Sequence, residues 1–154
     1  MERRCALLAV KPEYAEALLE GRKGMEFRRV RPSFSEGSFV YVYSSAPVQA
    51  VVGWFLCGTV VDGCPETLWR RFRDSAGLTR SRFFSYFRGA RRGSAIEVRS
   101  PQAWELPLEL REIRVHVPHF SPPQSYVFLN SSDSLLRLLV RHDGNRTRKR
   151  QALA

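Results

Sequence analysis

Four charged side chains stand close together in the stretch from Ala15 to Arg31, AEALLEGRKGMEFRRVR: Lys23, Glu26, Arg28 and Arg29. Cations gathered around one carboxylate can hold an anionic ligand and orient a proton acceptor. They can equally form an ion-paired rim that contributes little. Spacing says where they point: Met25 and Phe27 alternate with Glu26 and Arg28, so a strand that buries the first pair sends the second to its other face. Lys23 lies in the turn just before. A second polar group is PPQSY at 122–126, read either as a turn entering a strand or as part of a pocket. Gln124 and Ser125 can hydrogen-bond a base edge, and Tyr126 or Trp54 can stack on a splayed base. Ser44 and Ser45 form a turn that can line the same mouth, and Lys11 belongs at the rim near the Lys23 turn.

The densest basic stretch is Arg70, Arg71, Arg73, Arg80, Arg82, Arg88, Arg91 and Arg92, with Glu66 and Asp74 as the nearby acids. It is a candidate phosphate-tracking surface, for which arginine's planar fork is well suited. The chain carries +10 net charge and only three lysines among 25 basic residues. Residues 1–131 hold 19 basic and 13 acidic residues, so the body is basic without its tail. Metal chemistry finds no support: Cys57 and Cys64 lack a C-x-x-C spacing, and His116, His119 and His142 stand in no ligand spacing with them. Cys57 and Cys64 are expected as core thiols, and no cofactor is expected. No phosphate-binding glycine loop or nucleophile elbow is present.

The elements that position these residues follow from periodicity. Cys5 to Val10 is a short apolar run, a buried strand. Pro12 suits the first turn of a helix that carries Ala15, Leu18 and Leu19 on one face and ends near Gly21. Phe39 to Tyr43 is a strand buried on both faces or facing a cavity, and Val48 to Val61 a long β stretch bent at Gly53 and Gly58. Residues 66–89 read as two helices, with Leu68, Trp69 and Phe72 on the first and Phe83, Phe84, Tyr86 and Phe87 on the second, which Thr79 can cap. Ala95 to Val98, Leu106 to Val117 and Gln124 to Leu129 are expected strands. From Ser132, Leu135, Leu136, Leu138 and Leu139 suit a short docking helix, followed from Gly144 by a basic, disordered tail. The expected domain is therefore 1–131, with a helical insert at about 66–89 and an appendage at 132–154.

Gly21, Lys23, Glu26 and Arg28 read G-x-K-x-x-E-x-R, and this pattern resembles the signature of the ASCH domain. LLAVKPEYAEALLEG before it, VYVYSSAPVQAVVGWF after it, then LWRRF, FFSYFRG, GSAIEV and PPQSY agree in order, so the resemblance runs from about Leu7 to Leu129. It implies an α+β, PUA-like fold, a small β-barrel with flanking helices, and RNA-related work. In some members of the family the motif lysine is implicated in ribonuclease activity, which would make Lys23 the active lysine. In a related branch that hydrolyses N4-acetylcytidine a threonine follows that lysine; here Gly24 stands in its place, which argues against that chemistry. A nuclease could use Lys23 or Arg28 to stabilise charge on phosphorus, Glu26 as base and the hydroxyl of Ser125 or Tyr126 nearby, with the ribose 2′-OH as nucleophile.

At 154 residues, with 44% hydrophobic and 12% aromatic composition, a single folded domain is expected. Three cysteines in no framework spacing, with no leading apolar segment, point to a reducing cytoplasm and away from membranes. The reading is an RNA-binding domain for single-stranded or structured RNA, with metal-independent ribonuclease activity as an open question. The alternative is a transcription-associated regulator that binds DNA or a small nucleotide without catalysis. No oligomeric state follows from the sequence.

Overall fold

Alternation along the first strands dictates a sheet covered on both sides. In the computed structural model, which describes residues 4–153 with side chains to Gly144, β1 (Cys5–Val10) sends Ala6, Leu8 and Val10 to one face and Leu7 to the other. β3 (Phe39–Ser44) runs parallel to it and divides Val40 and Val42 from Tyr41 and Tyr43 in the same way. Leu7, Leu8, Val40 and Val42 are wholly buried, each contributing about 1.5–3 kcal/mol. One face is covered by α1 (Pro12–Leu19), which Pro12 opens and which is followed by Gly21 at φ +82°. Its buried side is Ala15, Ala17, Leu18 and Leu19.

β2 (Met25–Arg28), β4 (Ala50–Gly63), β5 (Gly93–Glu109) and β6 (Tyr126–Leu129) complete one six-stranded sheet in the order β2-β5-β4-β3-β1-β6. β2 and β6 are its edges, so the sheet is open and the barrel expected from the family resemblance does not close. It is nevertheless curled. β4 and β5 shift register at three places, and at Gly53 a Cβ would run into the Gln102 carbonyl and lie 2.9 Å from Leu19 Cδ1. The curl brings β2 over β1, where Arg28 Nη2 donates to the Ala9 carbonyl at 2.9 Å. A side chain thus spans the gap that no backbone ladder closes.

The insert between β4 and β5 is α2 (Pro65–Phe72), a 3-10 turn (Arg73–Ser75) and α3 (Arg80–Tyr86), with Thr79 Oγ1 accepting from the Arg82 N–H as the expected cap. Its apolar side, Leu68, Ala76, Phe83 and Phe87, packs on Met25, Phe27 and Ala95 in a cluster of its own.

Three expectations are corrected. Leu106 to Val117 is not one strand: β5 ends at Glu109 and α4 (Leu110–His116) follows, because Leu110, Ile113 and Val117 recur at helical spacing and pack against the sheet. The final helix, α5 (Ser134–Leu153), is longer than the short helix expected, its backbone continuing past Gly144 where a disordered tail was expected. The side chains of 145–153 lie outside the described residues. Of the two expected core thiols, Cys57 is buried and burial pushes its pKa up to about 11, but Cys64 is half-exposed at the start of α2, 3.1 Å from Thr67 Oγ1. Among the described residues no helix is long and apolar enough to cross a membrane.

Candidate functional site

Lys23 arrives at the floor of a cleft because α1 stops at Glu20 and the chain turns straight into β2. The Lys23 N–H donates to the Ala17 carbonyl at 3.0 Å and the Gly24 N–H to the Ser75 carbonyl at 2.9 Å, so the turn is held by α1 on one side and the insert on the other. Its ammonium donates to the Ala76 carbonyl at 2.7 Å and lies 4.8 Å from the Phe27 ring centre and 5.6 Å from that of Tyr14. The insert covers it closely: Gly77, at φ +66°, would place a Cβ 2.5 Å from Lys23 Cβ. Only 2% of Lys23 is exposed, and this burial lowers its pKa against the opposing pull of Glu26.

Glu26 and Arg28 share the face of β2 opposite Phe27, as the alternation requires. Glu26 is 6% exposed. Its Oε1 is 3.9 Å from Arg28 Nε, an ion pair but too long for a hydrogen bond, and Glu26 Oε2 and Arg28 Nε have no hydrogen-bond partner in the protein. The hydroxyl of Tyr43 is the third such atom, and burial raises its pKa, keeping the phenol neutral. All of these residues line one cleft of ≈ 930 Å³.

The walls come from separate elements. Lys11 and Tyr14 stand on the α1 side, Ser45 and Gln49 on the β3–β4 turn, Pro122 to Gln124 on the loop before β6, and Leu78, Arg82 and Tyr86 on the insert. Glu13 and Arg82 meet across the rim at 2.7 Å, both more than half exposed. Arg29 does not face the cleft; its Nη1 donates to the Tyr86 and Arg88 carbonyls, each at 2.9 Å, and so ties the end of α3 to β2.

Of the residues expected at the site, the cleft gathers Lys11, Lys23, Glu26, Arg28, Ser45 and Gln124. Ser44 is buried in β3 outside the lining. Ser125 is exposed beside the rim, its carbonyl accepting from the Ala9 N–H at 2.8 Å, and does not line the cleft. Two stacking candidates lie elsewhere. Tyr126 packs 5.0 Å from Phe34 and accepts from the Ser33 N–H, while Trp54 joins Trp104 in donating to Asp143 Oδ1 under α5. Their apolar neighbours on the two sheet faces took them. Arg70, Arg71, Arg91 and Arg92 are exposed on and after the insert, outside the lining. Sequence reasoning missed Tyr43, Tyr14, Gln49 and Arg82 as lining residues. Tyr43 carried a signal as the last aromatic of β3 before the Ser44–Ser45 turn, and Arg82 as a member of the basic stretch, while Tyr14 and Gln49 carried none.

A curated protein of Zymomonas mobilis described as an ASCH domain-containing ribonuclease is 30% identical over 133 residues, 86% of this chain and 89% of that protein. The chain belongs to the ASCH domain family. No family model matches the chain. The crystal structure of ASCH from Zymomonas mobilis superposes with a TM-score of 0.83 at 29% identity, covering 90% of this chain and 96% of that one. Human THYN1, solved in complex with DNA containing 5-methylcytosine, shares the fold at 13% identity, with a TM-score of 0.56 over 90% of this chain and 96% of its own. Lys23, Glu26 and Arg28, whose spacing resembles the ASCH signature, form the floor of the cleft, and Gly21 lies in the turn before them.

Proposed function

We propose that this ASCH protein binds single-stranded or structured RNA in the cleft above Lys23, Glu26 and Arg28. The observation that carries this reading is the convergence of buried polar atoms without partners, Glu26 Oε2, Arg28 Nε and the Tyr43 hydroxyl, in a cleft bounded by the arginine-bearing insert. Buried polar groups are ordinarily satisfied, so atoms left open in a cleft are suited to a ligand. A concave site reads unstacked bases, which duplex DNA does not offer without base flipping. The relative described as a ribonuclease supports RNA, and THYN1 bound to DNA supports nucleic acid more broadly.

Metal-independent cleavage is the second reading, favoured by the combination of a buried amine of lowered pKa with unpartnered donors. In it the neutral Lys23 amine takes the proton of the ribose 2′-OH as that oxygen attacks the adjacent phosphorus. The 5′-oxygen leaves with the proton of the Tyr43 hydroxyl, to give a 2′,3′-cyclic phosphate and a 5′-hydroxyl. The proton returns from Lys23 to Tyr43 through solvent, and Arg28 donates to the charge developing on the phosphoryl oxygens.

The test is a denaturing gel of end-labelled structured RNA incubated in chelator with the wild type, Lys23→Met and Tyr43→Phe, beside a native gel with unlabelled RNA or duplex DNA as competitor. Cleavage by the wild type that both variants lose by tenfold or more is the result expected of a ribonuclease. Uncleaved RNA that is shifted, and is competed far better by RNA than by duplex DNA, leaves RNA binding alone. Equal competition by duplex DNA would overturn the RNA reading.

A further inference from the structure

A single open polar atom can be left to water. Two of opposite hydrogen-bonding sense, side by side and held apart, specify a ligand edge. Glu26 Oε2 is a buried acceptor and Arg28 Nε a buried donor, on residues two apart on one face of β2. Arg28 is anchored, because its Nη2 is bound to the Ala9 carbonyl, and the 3.9 Å gap to Glu26 Oε1 remains.

We propose that this pair reads the Watson–Crick edge of a guanine in single-stranded RNA, an inference that rests on the RNA reading above. Guanine alone among the four bases presents two adjacent N–H donors, N1–H and the N2 amino group, which match the two oxygens of a carboxylate. Beside them it carries O6, an acceptor for Arg28 Nε. Adenine and cytosine set a ring-nitrogen lone pair next to their amino group, facing a carboxylate oxygen, and uracil has one N–H between two carbonyls. The rings of Tyr14 and Tyr86, both lining the cleft, offer faces on which the base can stack. Arg82 stands at the rim for the phosphate that follows. This assigns Glu26 to base recognition in place of the proton transfer expected from the sequence.

The test measures fluorescence anisotropy with labelled pentanucleotides UUGUU, UUAUU, UUCUU, UUUUU and the inosine form UUIUU, carrying 2′-fluoro sugars so that cleavage cannot intervene. The wild type should bind UUGUU about tenfold tighter than the A, C and U forms, with inosine, which lacks the N2 donors, in between. Glu26→Gln should bring all five within twofold of one another. Equal wild-type affinities for all sequences overturn the guanine assignment while leaving RNA binding intact. A guanine preference that survives in Glu26→Gln, or inosine bound as tightly as guanine by the wild type, also overturns it. The inosine comparison needs no variant, so it decides even if Glu26→Gln folds poorly. Failure of every oligonucleotide to bind would sink the RNA reading together with this one.

Discussion

Lys23 sits under the insert at a cost in protonation, and the sign of that cost is measurable. Its folded pKa is below the ordinary 10.5 because burial disfavours the ammonium. Between the folded value and 10.5 the unfolded chain holds more protons than the folded one, so stability rises with pH across that window. Below the window the penalty is fully present, and above 10.5 it is gone. The wild type should therefore gain stability relative to Lys23→Met as pH is raised towards 10.5, read as the difference in urea midpoints between the two proteins. A difference that stays flat or moves the other way would mean that Lys23 is not held by a desolvated environment. The burial itself was not legible: the sequence places Lys23 in a turn, where solvent is the default. What covers it, Ser75 to Gly77, lies some fifty residues away and looks from the sequence like a break between helices. By contrast, the partition of Glu26 and Arg28 from Met25 and Phe27 needed only the period of a strand, which local sterics fix.

The insert is the element that turns a sheet edge into a walled cleft. Phe83 is its anchor, wholly buried, with its ring centre 4.9 Å from Phe27 in a T-shaped contact and 4.8 Å from Phe87. Phe83→Ala should destabilise the protein by about 3–5 kcal/mol, measured by denaturant unfolding, and should raise hydrogen exchange in α2 and α3 before it does so in β1 and β3. A loss below ~1 kcal/mol would show that the insert is held by its polar contacts instead. These helices were legible because their aromatic residues recur at helical spacing over two full turns. α4 was not, because Leu106, Leu108 and Leu110 and then Ile113, Val115 and Val117 recur at every second residue, as strand alternation does, and helices of that length declare themselves through packing.

On the scale of the molecule, the two kinds of positive charge are separated in space. Lys23 and Arg28 are in the cleft, while Arg70, Arg71, Arg91 and Arg92 are on the exposed surface of the insert and the chain leaving it. Surface arginines that track phosphates should set the salt dependence and leave base preference alone. Replacing these four by Gln should flatten the slope of log affinity for single-stranded RNA against log salt, by about 0.7 for each phosphate that no longer meets a guanidinium. An unchanged slope would show that the insert's outer face does not meet the nucleic acid. The overall α+β class and most strands could be read from the sequence, but closure could not. Whether a curled sheet seals into a barrel depends on pairing between its two outermost strands, a long-range matter on which periodicity is silent.

The seam left by that open sheet gives Arg28 two masters. One terminal nitrogen fastens β2 to the Ala9 carbonyl, while Nε of the same guanidinium is buried without a partner in the protein. A lysine would keep the charge, but its donors all leave one nitrogen at the end of a flexible stem, so it could not hold the Ala9 carbonyl and also present a donor at the position of Nε. If Arg28 reads a base as proposed, architecture and recognition share one planar group, and a descendant of this protein could not trade away either without losing the other.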